Sequence, residues 1–178
     1  MKYLITCMGN SDPIREQHDS AILHICRHER PEVIIVIHSE RSKSRHNLLE
    51  RALESIPGYH YTLESWPTVI PNETVPLFDK VYDFLNREVQ KIKKNKRFTI
   101  QDEIILNITS GTPQMISALA VINRLEEYGF RAIQVTTPLE DSNIGSESER
   151  KSIEELIAEN LDATVGQKNR CHEDLGEC

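Results

Sequence analysis

Apolar runs of strand length recur along the chain, and each is followed by a segment with helical spacing. The strand candidates are rich in Ile, Val and Leu and show little alternation; they are Tyr3 to Met8, Val33 to His38, Tyr59 to Leu63, Ile104 to Ile108 and Ala132 to Thr136. Near-continuous apolarity is typical of parallel strands covered on both faces. The helix candidates are Asp19 to His28, Ser44 to Ile56, Val75 to Asn95, Pro113 to Tyr128 and Ser148 to Asn160. This alternation predicts an α/β fold with a doubly wound, mainly parallel sheet and flanking helices.

The chain has the length of one domain with a short tail. Its 178 residues, 38% of them hydrophobic, suffice for one well-buried core and are too few for two ordinary ones. The pattern ends at Gly166, where GQKNRCHEDLGEC has one aliphatic residue beyond its cysteines. We therefore predict a domain over residues 1–165 and a polar, disordered tail over residues 166–178.

Charge and cysteine usage narrow the class of partner. The formal net charge is -7, from 28 acidic and 21 basic side chains, so the average surface repels long nucleic acid. An anionic ligand must then be captured locally. The four cysteines lie in apolar runs or in the polar tail and form no disulfide framework, which favours a reduced, cytoplasmic protein. No apolar run approaches the roughly 18 residues of a membrane span, and the N-terminus lacks a signal peptide's cleavage region.

Two small polar loops follow the first and fourth predicted strands. The first is Gly9-Asn10-Ser11-Asp12-Pro13, and the second is Thr109-Ser110-Gly111-Thr112-Pro113-Gln114. In an open α/β sheet, ligands bind beyond the carboxyl ends of the strands, where the strand order reverses. If the order is 3-2-1-4-5, that crevice lies between the first and fourth strands. We therefore expect the two loops to meet there.

The second loop has the features of a helix start that binds anions. Pro113 suits the first helical turn, Ser110 or Thr112 can cap it, and Gly111 permits a tight turn or a close approach. The exposed N–H groups and the helix dipole then face the crevice. A plain, well-capped turn is the alternative, but two such loops favour a phosphate or nucleotide site. The chain has neither a Gly-Lys-Ser/Thr P-loop nor a G-x-G-x-x-G after the first strand.

Four stretches, in this order along the chain, carry a family resemblance. They are MGNSDPIR at 8–15, AILHICRHERPE at 21–32, EIILNITSGTPQMISAL at 103–119 and IQVTTPLEDSN at 133–143. With them the sequence resembles a CARF domain, the Rossmann-like sensor of CRISPR-associated proteins. More narrowly, it is similar to the N-terminal half of the Csm-type ribonuclease of type III-A systems, in which a CARF domain precedes a HEPN nuclease domain.

The resemblance implies a ligand and a partner. The ligand is a cyclic oligoadenylate, bound as a ring across the two-fold axis of a homodimer; the match of SGTPQM favours cyclic hexaadenylate, and cyclic tetraadenylate is the alternative. The sensor then controls an appended HEPN RNase domain. No cofactor, metal or membrane is implied. The implied phosphate, ribose and adenine contacts are Gly9, Asn10, Ser11, Asp12, Ser110, Gly111, Thr112 and Gln114, with Ser39, Asn107 and Thr137 as weaker candidates.

Two positions depart from the pattern of relatives. Many wider relatives have Gly-Thr-Lys where this chain has Gly111-Thr112-Pro113, so a phosphate-directed charge is missing. Close relatives can carry an aromatic residue after the Asp-Pro pair, where Ile14 stands here.

Some CARF domains also cleave their own ligand, and the resemblance makes Thr112 the candidate catalytic hydroxyl of such a metal-independent ring nuclease. Two alternatives remain: a ligand-binding module without turnover, and an unrelated Rossmann-like enzyme for a phosphosugar or nucleotide. The Arg-x4-6-His spacing of HEPN nucleases recurs at Arg41 to His46, but directly after a strand, so chance explains it better. The chain ends where a HEPN domain should begin, so we expect no RNase activity on long RNA from these residues.

The other reactive side chains have plainer interpretations. His24 and His28 fall near the apolar side of the first helix, which is typical of structural histidines. Cys171, His172 and Cys178 lack a fourth ligand at zinc spacing, so no metal site is predicted. The lysines near the end of the third helix favour a solvated helix end over RNA binding.

Overall fold

The computed structural model describes residues 1–15, 18–126, 128–136 and 171–172. In chain order, the elements are β1 (Lys2–Cys7), β2 (Ile14–Arg15), β3 (His18–Asp19), α1 (Ala21–Glu29), β4 (Val33–Ile37), α2 (Glu40–Lys43), α3 (His46–Glu54), β5 (Thr62–Ser65), α4 (Phe78–Lys96), β6 (Glu103–Asn107), α5 (Pro113–Leu125), β7 (Arg131–Val135) and β8 (Cys171–His172).

The central sheet has the predicted parallel order. Its strands run β5-β4-β1-β6-β7-β8, and the first five are parallel to their neighbours. In order of appearance these five read 3-2-1-4-5, so the α/β, Rossmann-like, doubly wound prediction is confirmed. The strand order reverses at β1, which pairs with both β4 and β6. The crevice at the carboxyl ends therefore lies between β1 and β6.

The core forms on both faces of the sheet. One cluster joins Ile5, Ile35 and Leu106 to apolar residues of α4 and α5. The other joins Leu4 and Ile34 to residues of α1 and α3. Adjacent strand residues thus point to opposite, equally buried faces, which explains why the strands read as continuous apolar runs. Among the described residues, no helix is both long enough and apolar enough to span a membrane.

Several predicted boundaries shift where polar backbone pairing or capping intervenes. The first helix begins at Ala21, because His18–Asp19 pairs with Ile14–Arg15 in a small antiparallel hairpin. The segment predicted as Ser44 to Ile56 is helical only over His46–Glu54, after the separate four-residue α2. Strand β5 begins at Thr62 and not at Tyr59, whose hydroxyl donates to the Pro31 carbonyl at 2.6 Å. The predicted helix from Ser148 to Asn160 lies outside the described residues.

One strand falls inside the stretch predicted to be a disordered tail. Cys171–His172 pairs antiparallel with Gln134 and Val135 at the edge of the sheet. An edge strand pairs through backbone groups and needs no apolar pattern, so the sequence pattern gave no signal for it. The predicted disorder of the tail stays a prediction. The domain boundary at residue 165 lies outside the described residues and stays a prediction.

Candidate functional site

The two polar loops meet beyond β1 and β6, as predicted. Asp12 Oδ2 accepts a hydrogen bond from the Gly9 N–H at 2.8 Å within the first loop. Asp12 Oδ1 accepts from the Ser110 hydroxyl at 3.2 Å across to the second loop. The backbones also touch, since a Cβ added to Gly9 would lie 2.9 Å from the Gly111 nitrogen. The loops therefore form one unit at the point where the strand order reverses.

Asn107 organises the second loop from within the sheet. Its Nδ2 donates to Thr6 Oγ1 and to Ser110 Oγ, both at 2.9 Å, and its Oδ1 accepts from the Thr109 N–H at 2.8 Å. The Thr109 hydroxyl in turn accepts from the Val135 N–H at 2.7 Å. One buried amide thus joins the ends of β1 and β6, and Thr109 extends the network to β7.

Asp12 and Asn107 were predicted as ligand contacts, and those contacts stay predictions; in the structure both side chains are buried. Both side chains belong to residues with 0% exposed surface, and the Ser110 residue is only 4% exposed. Their polar atoms are used by backbone amides and by one another, so they shape the loops and present no side-chain surface to a ligand. Burial raises the pKa of Asp12, while its hydrogen bonds from Gly9, Ser20 and Ser110 oppose that rise.

The N-terminus of α5 has the predicted cap. Thr112 is the N-cap residue, its Oγ1 accepts from the Met115 N–H at 3.4 Å, and Pro113 follows in the first turn. Gly111 has a φ of 115°, a conformation that side chains other than glycine rarely adopt. Met115 is a core residue, with 2% of its surface exposed. Thr112 and Gln114 are half-buried at the start of the helix, so both retain surface for a ligand.

A cleft of about 120 Å³ opens beside the joined loops. It is lined by residues of the first loop, the β2–β3 hairpin, the second loop and the end of β7: Ser11, Arg15, His18, Asp19, Ser20, Ala21, Thr109, Ser110, Val135 and Thr136. Of the predicted site residues, the cleft includes Ser11 and Ser110. The exposed Asn10 stands beside Ser11 in the same loop.

Sequence reasoning missed the contribution of the hairpin. Arg15 and His18 are directly opposite each other in the β2–β3 ladder, and both line the cleft. The only sequence signal was the position of Arg15 at the end of MGNSDPIR. A two-residue polar strand has no apolar period to reveal it.

Ser39 has a structural role of its own. It caps α2, where its Oγ accepts from the Ser42 N–H at 3.2 Å and its own N–H donates to Ser42 Oγ at 3.0 Å. The residue is 7% exposed and does not line the cleft. Its role in the described structure is to cap α2, and its ligand contact stays a prediction. Thr137 lies outside the described residues.

The turn between α2 and α3 supports the first loop. Arg45 Nη2 donates to the Asp12 carbonyl at 2.6 Å. Next to it, His38 Nε2 and His46 Nδ1 are 2.9 Å apart, so one ring donates to the other. Burial, followed by the nearby His46 and Lys43, lowers the pKa of His38 to about 4. Arg41 and His46, which share the HEPN spacing, thus lie on either side of this turn, with Arg41 exposed and His46 against His38.

The first-helix histidines also have a structural environment. His24 is 1% exposed, and its ring lies 4.3 Å from that of His28. Burial is the main reason that the pKa of His24 falls to about 4. Within the described residues, no group of three His, Cys, Asp or Glu side chains is arranged to hold a metal ion.

Comparison with known proteins places this chain in a family. The family model of the Cas_Csm6 CARF domain matches residues 68–171. The chain is 40% identical over 178 residues to the CRISPR system endoribonuclease Csm6 of Streptococcus thermophilus, covering 99% of this chain and 40% of that protein. It is 31% identical to the Csm6 of Enterococcus italicus, covering 97% of this chain and 41% of that one. It thus spans about two fifths of the length of these relatives.

A solved structure agrees with this assignment. It is Enterococcus italicus Csm6 bound to cyclic hexa-2'-fluoro-hexa-dAMP, which aligns with a TM-score of 0.78 at 28% identity, over 98% of this chain and 42% of that chain. The fold, the paired loops and the sequence matches agree, and the chain belongs to the Cas_Csm6 CARF domain family.

Proposed function

We propose that this chain is a sensor domain that binds cyclic oligoadenylate in type III CRISPR defence. The observation that carries the proposal is the joined pair of loops, fixed by Asp12 and Asn107 at the reversal of strand order and opening onto a cleft. The first turn of α5 directs N–H groups and the positive end of its dipole to the same edge, which suits phosphate. The related Csm6 with a bound cyclic hexanucleotide analogue supports the ligand class.

The size of the cleft favours a ligand shared between two copies of the chain. Its volume of about 120 Å³ is well below the roughly 300 Å³ at which ordinary small-ligand pockets begin. A ring of six nucleotides would therefore extend beyond it. If a ring with two-fold symmetry lies over two copies of each loop, both halves of the ring make the same contacts with the protein. We therefore propose a homodimer with the ring on its two-fold axis.

Cyclic hexaadenylate is the favoured ring, and cyclic tetraadenylate is the alternative. The segment from Ser110 to Met115 matches the Csm-type pattern, which supports a ring of six nucleotides. The Enterococcus italicus structure also holds a ring of six nucleotides. Since the relatives are more than twice as long as this chain and are named endoribonucleases, we propose that the sensor controls an appended RNase domain.

A second activity is metal-independent cleavage of the ligand. The ribose 2′-oxygen would attack the adjacent phosphorus, the bond from phosphorus to the 5′-oxygen would break, and the products would be a 2′,3′-cyclic phosphate and a 5′-hydroxyl. The 2′-proton is lost and the departing oxygen gains one, so no water is consumed. The position of Thr112 supports this second activity. Its Oγ1 accepts a hydrogen bond from the Met115 N–H, and its hydroxyl proton is still available to donate to a phosphate oxygen. A donor at a helix N-terminus stabilises charge on a phosphoryl oxygen.

Calorimetric titration with cyclic tri-, tetra- and hexaadenylate in EDTA, followed by mass spectrometry of the products, tests both proposals. We expect tight binding of cyclic hexaadenylate. The masses of the products should add up to the mass of the intact ring, because no water is consumed. Binding without products would leave a pure sensor. The absence of binding to all three rings would contradict the sensor role and favour a phosphosugar or nucleotide enzyme.

A further inference from the structure

The geometry points to Arg15 as the residue that binds a ligand phosphate electrostatically in the cleft, an inference that rests on the proposed function. The chain carries a net charge of -7, so a polyanionic ring needs a local cation. The start of α5 supplies backbone N–H groups but no side-chain charge, since Pro113 and Gln114 are neutral. The positive charge must then come from a residue that lines the cleft.

Arg15 is well placed for this role. Among the described residues that line the cleft, it is the one side chain with a permanent positive charge. It stands on β2, its side chain is exposed, and Thr109 and Ser110 of the second loop line the same cleft. A guanidinium presents a planar fork of donors that matches two phosphate oxygens.

The hairpin that carries Arg15 is fixed at its base. The Ser20 N–H donates to the Pro13 carbonyl at 2.9 Å, which closes the ladder behind the Ile14–Asp19 pair. Arg15 and His18 are cross-strand neighbours, so their side chains share one face of the hairpin. A long side chain on this ladder loses less freedom on binding than it would on an open loop.

The acidic residue in the cleft does not cancel this charge. Asp19 accepts from Arg27 Nε at 2.7 Å and from Arg27 Nη2 at 3.2 Å, a two-bond pairing that holds its carboxylate against α1. The charge of Asp19 is therefore balanced by Arg27. Of the lining residues that the structure describes, Arg15 therefore carries the one permanent positive charge, and the neighbouring carboxylate is paired with Arg27.

Titration of the chain with cyclic hexaadenylate at several salt concentrations tests the inference. Arg15→Ala should weaken binding by about 10-fold or more and flatten the dependence of log K on log salt, because one charge-assisted contact is lost. The affinity of Arg15→Lys should fall between those of the unmodified chain and Arg15→Ala, because lysine keeps the charge but lacks the paired donors of the guanidinium. Arg124→Ala removes the same charge from the last turn of α5, about 16 Å along the helix from its start, and should bind like the unmodified chain.

The outcomes separate this inference from the function on which it rests. If Arg15→Ala does not fold by thermal melting, Arg15→Gln replaces it, with the same expected loss. Suppose that the unmodified chain binds the ring. If Arg15→Ala or Arg15→Gln then binds it with the same affinity and salt slope as Arg124→Ala, the role of Arg15 is overturned and the proposed function is not. If the unmodified chain binds no ring, the inference and the proposed function fall together.

Discussion

Gly9 and Gly111 lie back to back where the two loops cross, with only 2.9 Å between the Gly111 nitrogen and the place that a Cβ on Gly9 would occupy. No side chain fits in that gap without moving backbone. The contact explains the glycine of the first loop, since Gly9 is required by the close approach. Gly111 has separate reasons: its φ is 115°, and a Cβ there would lie 3.2 Å from Met115 Cβ.

Gly9→Ala should therefore separate the loops. We expect a loss of stability of about 1–3 kcal/mol from overpacking and at least a tenfold loss of affinity for cyclic hexaadenylate, measured by chemical denaturation and by calorimetry. Gly58→Ala is the matched control, because its φ of 61° makes it destabilising while nothing lies within 4 Å of the added methyl. If Gly9→Ala lowered stability as Gly58→Ala does but bound the ring normally, the loops would not form one unit.

Arg45 should act on the ligand through the first loop and not by contact. Its hydrogen bond to the Asp12 carbonyl is the link between the α2–α3 turn and that loop. We expect Arg45→Ala to speed amide hydrogen exchange in residues 9–12 and to weaken ring binding several-fold. The free energy of unfolding should fall by roughly 1.5–3 kcal/mol, because a hydrogen bond from a charged donor is lost. Arg41→Ala, at an exposed position of α2, is the control. Unchanged amide exchange in Arg45→Ala would show that the first loop is ordered without the hydrogen bond from Arg45.

The cap and the hydroxyl of Thr112 can be separated by substitution. Thr112→Ser keeps both, Thr112→Asn keeps a good cap but no hydroxyl, and Thr112→Ala loses both. We expect Thr112→Ser to cleave the ring, whereas Thr112→Asn and Thr112→Ala should bind it and cleave about 100-fold more slowly, as for loss of one oxyanion donor. Only Thr112→Ala should also lose about 1 kcal/mol of stability.

Product formation from cyclic hexaadenylate is the measurement for these three variants. A ring with 2′-fluorine in place of each 2′-hydroxyl is the control ligand, which should bind and remain intact because it lacks the attacking group. Turnover by Thr112→Asn and Thr112→Ala at the rate of the unmodified chain would remove Thr112 from the chemistry and leave the sensor role in place.

His38 should make stability depend on pH. Its pKa falls to about 4 in the folded state, against about 6.5 in the unfolded chain. Between these values the unfolded state binds more protons, so the free energy of unfolding should decline as pH falls from 6.5 towards 4, by at most about 1.4 kcal/mol per pH unit for one histidine. Above pH 6.5 this contribution is fully present.

Denaturant unfolding of the unmodified chain and of His38→Gln at pH 7.0, 6.0 and 5.0 checks the sign. The variant should show a shallower decline. His24, with a pKa also near 4, keeps its own contribution in both chains, and Asp12, whose pKa is raised, acts in the opposite sense in both. Parallel pH profiles would mean that His38 is protonated equally in the folded and unfolded states.

The parts of the fold that were predictable depend on burial. Continuous apolar runs such as that around Ile35 need cover on both faces, and this requirement leads directly to a parallel sheet and to the meeting of the loops. The hairpin at Arg15 and His18 and the short strand at Cys171 depend on backbone pairing, which leaves no apolar period.

Which polar side chains of the loops are exposed was harder to predict. Asn10 and Asp12 stand two positions apart in the same loop, yet Asn10 is exposed and Asp12 is fully buried. Asp12 turns inward to accept from the Gly9 N–H in its own loop and from the Ser110 hydroxyl, which is 98 positions away along the chain. Local composition identifies such a loop as a site but does not assign its side chains.

Native mass spectrometry of the chain with cyclic hexaadenylate is the most direct test of a shared ring, because it measures binding and stoichiometry together. We expect a complex of two chains and one ring, and we expect Gly9→Ala not to form it. Rings bound one to each single chain, or no complex with cyclic tri-, tetra- or hexaadenylate, would contradict it.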